Sequence, residues 1–348
     1  MDRPEENANV PSCDAYFEAI QSKKKLPLSL QESLTAAFAQ IPVSSFPDVP
    51  AGRVIEIPGD TSILDAVRIL SEHNIRAAPV LNPEPGAPAD WQGRYLGVRS
   101  IVESYRWSPF VPVTLDSSML TVLLLLSKYR LRNVPVIEPD KPVIRNFITQ
   151  AGVVKGLQQC EGRDWFDYIS ALPLSDLGLP FMSIDEVITV NSDDLILEAF
   201  KCMKDNKIGG VPVVEGPNRK LVGSVSIRDI RFLLLRPDLF SNFRQLTIIE
   251  FMKTLGSTLP DSGEENCLVK PPPTCGPDAS LGSVIDSIAS RITHRIYVVD
   301  GDLEVIGVVT LRDVISCFIH EPPGYCDSYL ASAMEKIDGK SSVSVEKS

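Results

Sequence analysis

The chain has 348 residues, 44% hydrophobic and 23% charged, an ordinary globular balance that excludes wholesale disorder. Its 45 acidic side chains outnumber 34 basic ones, and the net charge of −11 repels nucleic acid as a whole while leaving a local basic cluster free to hold a small anion. No apolar run approaches the ~20 residues of a membrane span, and seven scattered cysteines without a CxxC pair argue against a zinc ribbon or disulfide framework and for a reducing cytoplasm or nucleus.

In chain order, the opening MDRPEE lacks the basic and apolar regions of a secretory signal. The first ~25 and last ~20 residues read as mobile. Ile41 to Phe46, alternating and flanked by prolines, predicts an edge strand that pairs with a partner chain. Four windows then share one pattern: DTSILDAVRILSEHNIRAAPVL (60–81), DSSMLTVLLLLSKYRLRNVPVI (116–137), DDLILEAFKCMKDNKIGGVPVV (193–214) and DASLGSVIDSIASRITHRIYVV (278–299). They align without a gap. Asp60, Asp116, Asp193 and Asp278 open them, and Pro79, Pro135, Pro212 and the deviant Tyr297 fall at one shared position.

Each window predicts a helix followed by a strand. Ile196, Ala199, Phe200 and Met203 recur at helical spacing, as do Leu281, Val284, Ile285 and Ile288. The β-branched run after each helix is a strand whose proline suits a start or an edge. A second strand (221–226, 305–310) and a second helix follow, so the unit is β-α-β-β-α, about 50 residues long. The class is α/β (α+β). One unit is too small to bury its own faces, so the first should pair with the second and the third with the fourth. The expected division is an N-terminal segment 1–40, repeats at 41–107, 108–160, 188–255 and 278–322, a linker at 161–187, a loop at 256–277 and a tail at 323–348. A turn-rich insertion, PEPGAPADWQG, interrupts repeat one.

Three histidines (73, 294, 320) stand outside any HExxH or CxxH context, and no GxSxG, Walker A or kinase signature occurs. The sequence therefore predicts no catalytic residue, no metal site and no enzyme. Ser226-Ile-Arg-Asp229 and Thr310-Leu-Arg-Asp313 lie where a last strand meets a last helix. They read either as capping boxes or as half of a nucleotide site, the acid accepting ribose hydroxyls and Arg228 or Arg312 pairing with phosphate. His294-Arg295 at a strand entrance, with Arg76 at the equivalent place in repeat one, supplies further basic groups. Repeat two has Arg132-Asn133 and, at the acid position, Gly152; repeat three has Gly209-Gly210. The pockets are unequal, which points to few working sites rather than four.

The hPVV strands and the GVVTLRDVI-type turns resemble CBS domains, which pair into Bateman modules that bind adenine nucleotides. Four repeats, with IPVSSFP (41–47), YRWSPF (105–110), LLLLSKY (123–129), NFITQAGVV (146–154), SDLGLPFMS (175–183) and HEPPGY (320–325), resemble the gamma regulatory subunits of the plant sucrose-non-fermenting-related and AMP-activated protein kinases. The resemblance covers about residues 26 to 330. It implies a non-catalytic subunit of a heterotrimeric Ser/Thr kinase, partnered by a catalytic alpha and a beta scaffold subunit, in cytoplasm and nucleus. It implies AMP, ADP and ATP as regulatory ligands and a part in carbohydrate metabolism. Asp229 and Asp313 match the family's ribose acids; Arg76, Ser226, His294, Arg295, Thr310 and Arg312 match its other nucleotide contacts. The beta-subunit contact would fall near 41–46. Repeat one departs from the family: after Tyr95-Leu96-Gly97-Val98 a strand end, a helix and a linker are missing, and Pro109 closes any helix early. The first repeat therefore reads as shortened, leaving its module incomplete and less stable; a nucleotide-independent scaffold is the alternative.

Overall fold

The computed structural model describes residues 15–48, 54–75, 77–81, 111–138, 141–258, 271–291 and 293–325. Helices α1 (Ala15–Lys23) and α2 (Leu28–Gln40) lead into a 3-10 turn at Val43–Ser45. Repeat one follows as β1 (Ile57–Pro58), α3 (Ile63–Glu72) and β2 (Val80–Leu81). Repeat two runs β3 (Val113–Thr114), α4 (Met119–Ser127), β4 (Asn133–Glu138), β5 (Lys141–Thr149) and α5 (Gln150–Gln158). Helix α6 (Asp164–Ser170) and 3-10 turns at Leu174–Leu177 and Ile184–Glu186 connect to repeat three: β6 (Val190–Asn191), α7 (Ile196–Asp205), β7 (Gly210–Glu215), β8 (Lys220–Ser226) and α8 (Ile230–Leu235). After α9 (Ile248–Thr258) comes repeat four: β9 (Thr274–Cys275), α10 (Leu281–Ser290), β10 (Arg295–Val299), β11 (Val305–Thr310) and α11 (Leu311–Cys317).

Repeats two to four are thus β-α-β-β-α in fact as well as in pattern. In repeats two to four a two-residue strand pairs parallel with the middle strand, which pairs antiparallel with the last. Serine side chains of Ser62, Ser118 and Ser280 cap α3, α4 and α10, each accepting the backbone N–H three residues on. Pro135 and Pro212 lie inside the middle strand, not at its start. They are tolerated because the parallel neighbour reaches only the two residues that follow: Val113 pairs with Val136, and Val190 with Val213. On that side the proline faces no ladder. Tyr297 breaks the proline rule for a visible reason: its N–H donates to the Pro273 carbonyl at 3.0 Å, a bond proline cannot make.

The continuous apolar run of α4 is buried on every face, Met119 to Ser127 without exception. It shares one core with α2, α5, α10 and α11, so the helices of repeat two pack on those of repeat four. The sheets of repeats three and four meet through Val187, Val214, Leu221, Tyr297, Val299 and Val305. There the Ser224 and Tyr297 hydroxyls lie 2.7 Å apart, and Leu221 N–H donates to the Leu303 carbonyl at 2.9 Å. Repeats three and four therefore associate as expected. The described part of repeat one instead touches repeat three, α3 lying against α8.

Three expectations need correction. Residues 15–25 are not a loose tail: Phe17 is 1% and Ile20 0% exposed, and α1 packs on α11. The 161–187 linker is largely folded and packed, with Phe166, Ile169, Leu174, Leu177 and Leu179 all buried; its Gly178, at φ +72, ends a 3-10 turn against Lys23. The segment 41–46 is not an extended strand, since Val43–Ser45 form a 3-10 turn. Val43 and Ser44 N–H groups donate to the carbonyls of Ser117 and Leu115 at 2.8 and 2.9 Å, and Met119 N–H donates to the Ile41 carbonyl at 2.8 Å. These hydrogen bonds tie it to repeat two. The insertion at 83–93, the early helix stop at Pro109 and the tail beyond 325 lie outside the described residues.

Candidate functional site

In each of repeats three and four the start of the last helix adjoins the entrance of the middle strand. Ile227 N–H donates to the Gly209 carbonyl at 3.1 Å, and Leu311 N–H to the His294 carbonyl at 3.3 Å. This backbone stitching brings Ser226 and Asp229 beside Gly209-Gly210, and Thr310 and Asp313 beside His294-Arg295. Arg76 lies outside the described residues.

Both acids sit at the third position of a capping box. Asp229 Oδ2 accepts the Ser226 N–H at 2.7 Å. Asp313 Oδ2 accepts the Thr310 N–H and hydroxyl, each at 2.7 Å. Asp229 is 8% and Asp313 1% exposed. Burial raises the pKa of each carboxyl, opposed by the hydrogen bonds that favour the charged form: for Asp229 from Ser226, for Asp313 from Tyr16 and Thr310. The two readings of the motif coexist, since a capping carboxylate has a second oxygen that can face a ligand.

The basic groups converge between repeats. Arg295, from the entrance of β10, lies across Gly209 and Gly210: a Cβ built on Gly210 would stand 2.0 Å from the Arg295 guanidinium. Glycine there is a steric requirement for this crossing. Arg132, at the entrance of β4, reaches solvent, yet partial desolvation lowers its pKa, with the like charges of Arg295 and Arg130 adding to that effect. Neither Arg132 nor Arg295 makes an ion pair among the described residues. Guanidinium groups from repeats two and four thus lie near enough to repel, that of Arg295 beside the glycines of repeat three. Like charges held together without a carboxylate are a site for an anion with several oxygens.

Arg312 is committed elsewhere. Its Nε donates to the Ser127 carbonyl at 2.5 Å, and its guanidinium covers the Tyr16 ring at 4.6 Å. Arg228 donates to Asn74 Oδ1 at 2.6 Å, tying repeat three to α3. The helix start of repeat two has no acid: Thr149 Oγ1 caps Gly152 N–H at 3.0 Å, and the Phe46 ring lies 3.3 Å from where a Cβ of residue 152 would be. Tyr16 and Phe46 are the site neighbours that sequence reasoning missed. Both come from segments outside the repeat pattern, and nothing local marks them.

No group of His, Cys, Asp and Glu able to hold a metal occurs among the described residues, and no described helix is long and apolar enough to cross a membrane. The CBS domain family model matches residues 48–86, 176–236 and 266–320. Residues 113–158, which form the same unit, lie outside those matches. The Arabidopsis thaliana protein named SNF1-related protein kinase regulatory subunit gamma-1-like is 45% identical over 433 residues, covering 94% of this chain and 96% of its own. A second Arabidopsis protein, SNF1-related protein kinase regulatory subunit gamma-1, is 32% identical and covers 91% of each chain. The 433-residue alignment is longer than this whole chain of 348, so the first relative carries inner residues without counterparts here. Among solved structures, a Methanocaldococcus jannaschii protein whose description compares it with g-AMPK superposes at a TM-score of 0.56 with 16% identity, covering 80% of this chain and 100% of its own. That likeness is one of fold.

Proposed function

Because this chain belongs to the CBS-domain gamma subunits of the SNF1-related protein kinases, we propose that it is a non-catalytic regulatory subunit of a heterotrimeric Ser/Thr kinase that binds adenine nucleotides. The observation that carries the nucleotide is the Arg295 guanidinium lying across Gly209-Gly210, near enough to Arg132 for the two charges to repel, in a repeat whose last helix starts on the buried acid Asp229. In this arrangement the phosphates lie between the guanidinium groups and Asp229 accepts the ribose hydroxyls. Ser226 positions that carboxylate. His294 and Thr310 shape the far wall, and Arg76 adds charge from repeat one. AMP, ADP and ATP all offer the required phosphate and ribose. Nucleotide that prefers one arrangement of the repeats shifts the kinase by its differential affinity, which is how such a subunit reports energy state to carbohydrate metabolism. Alpha and beta subunits are the expected partners, in cytoplasm and nucleus.

Calorimetric titration of the full chain with AMP, ADP, ATP and adenosine tests the phosphate assignment. Arg132→Gln and Arg295→Gln should each weaken AMP about tenfold or more, as befits a charge-assisted bond, while leaving adenosine unaffected. Equal losses for AMP and adenosine would place the guanidinium groups elsewhere. A nucleotide-independent scaffold subunit is the second reading, favoured by the Phe46 ring and the missing acid in repeat two. Silence with all four ligands would select it.

A further inference from the structure

Helix α1 packs along α11, meeting Asp313 at its start and Ser316 and Ile319 at and past its end. Tyr16 donates its phenol to Asp313 Oδ1 at 2.5 Å, and its ring packs under Arg312 and, edge-on, against Phe181. Phe17 and Ile20 are buried alongside. Gln21 donates to the Ser316 carbonyl at 3.1 Å, and Lys24 to the Ile319 carbonyl at 2.8 Å. Asp313 Oδ2 is already taken by Thr310, so both oxygens of this carboxylate accept protein hydrogen bonds. The one basic side chain of the motif, Arg312, is held by the same ring. No phenol stands over Asp229 among the hydrogen bonds of the described residues.

We propose that α1 is an internal plug of the fourth-repeat cleft, with the Tyr16 hydroxyl occupying the place at Asp313 that a ribose hydroxyl would take. The proposal rests on the nucleotide reading given above and adds to it which acid is open. Nucleotide enters at Asp229 first, and at Asp313 only when α1 lifts; docking of α1 and occupancy at Asp313 exclude each other. The phenol satisfies a buried carboxylate that would otherwise lose a hydrogen bond, and the apolar residues behind it hold the plug in place. Repeat two follows the same principle by other means, its helix start being covered by Phe46.

The test is AMP titration of the full chain in four forms: wild type, Asp229→Ala, Tyr16→Ala/Asp229→Ala, and that double variant with Asp313→Ala added. Wild type should bind one equivalent, and Asp229→Ala should weaken it about ten- to hundredfold. The Tyr16→Ala/Asp229→Ala protein should regain a site at least tenfold tighter than whatever Asp229→Ala retains, and Asp313→Ala should remove that site. Tyr16→Phe/Asp229→Ala, which keeps the ring and its burial, should show a smaller gain of the same sign and decides the matter if the alanine variant fails to fold. Loss in Asp229→Ala without recovery in either Tyr16 variant overturns the plug while the nucleotide reading survives. A wild-type stoichiometry of two, with one equivalent removed by Asp313→Ala, also overturns the plug. Absence of binding in every form overturns both.

Discussion

Asp229 carries two roles in one carboxylate, and they can be separated. As a cap it accepts the Ser226 N–H, a contribution of roughly 1 kcal/mol to helix stability. As a ribose acceptor it contributes a charge-assisted bond of about 1.5–3 kcal/mol to affinity. Asp229→Ala should therefore lower the midpoint of melting only modestly while weakening AMP about ten- to hundredfold. Gly152→Ala, at the matching place in repeat two, has no acid to lose. Its new methyl would meet the Phe46 ring and Thr149 Oγ1 at 3.3 Å, and AMP affinity should change by less than about threefold. Unchanged calorimetric affinity in folded Asp229→Ala would remove the acid from the site. The sign of the pH dependence follows from burial, which raises the Asp229 pKa above the ordinary carboxylate value. On acidification the ribose contact is lost sooner than an exposed aspartate would lose it.

At the scale of elements, the helix of each repeat and the strands around it were legible because their apolar spacing is regular and their caps are short polar residues. Asp313 at a helix start could be read from Thr310-Leu-Arg-Asp313 alone. What covers it could not, because Tyr16 and Asp313 are 297 residues apart and α1 has no repeat to compare with. The same blindness applied to α6 and the 3-10 turns beside it, whose prolines and Gly178 resemble a linker until Phe166 and Leu174 are seen in the core. Helix α1 carries a measurable signature of its docking in Lys24. Burial lowers this ammonium's pKa to about 8, slightly opposed by Cys317, whereas an unburied lysine stays near 10.5. The undocked or unfolded chain thus binds the proton more tightly, and the docked state gains stability as pH rises from about 8 to about 10.5, by about 3 kcal/mol at most. Below pH 8 both forms are charged and the penalty is constant. The stability difference between Lys24→Met and wild type should therefore move steadily in favour of wild type between pH 8 and pH 10 in denaturation experiments. A difference between the two proteins that does not move with pH would mean that Lys24 is solvated and α1 undocked.

The whole molecule is unevenly stabilised, and the weak part is narrower than the sequence implied. A shortened repeat one predicted that the entire first lobe, including 110–150, would open early. Repeat two escapes that fate because α4 is buried on all sides and shares a core with α10 and α11. The deficit stays with repeat one. Ile63, Val67 and Leu70 are half-buried, whereas their equivalents in repeat three, Ile196, Phe200 and Met203, are buried. Burying a large apolar side chain contributes about 1.5–3 kcal/mol, so half-burial of three such residues forgoes roughly 2–4 kcal/mol. Set against a typical domain stability of about 5–15 kcal/mol, that is enough for local opening without global unfolding. Among the described residues, α3 is tied to repeat three by the α3–α8 contact and the exposed Arg228–Asn74 bond. Hydrogen exchange on the full chain should show α3 amides exchanging about thirty- to several-hundredfold faster than those of α4, α7 and α10. Adenine nucleotide bound between repeats should slow α3 in proportion to its saturation, since ligand favours the closed form by mass action. Equal protection of α3 and α4 in the free chain would mean that repeat one has found cover of its own and that its shortening leaves no weak point.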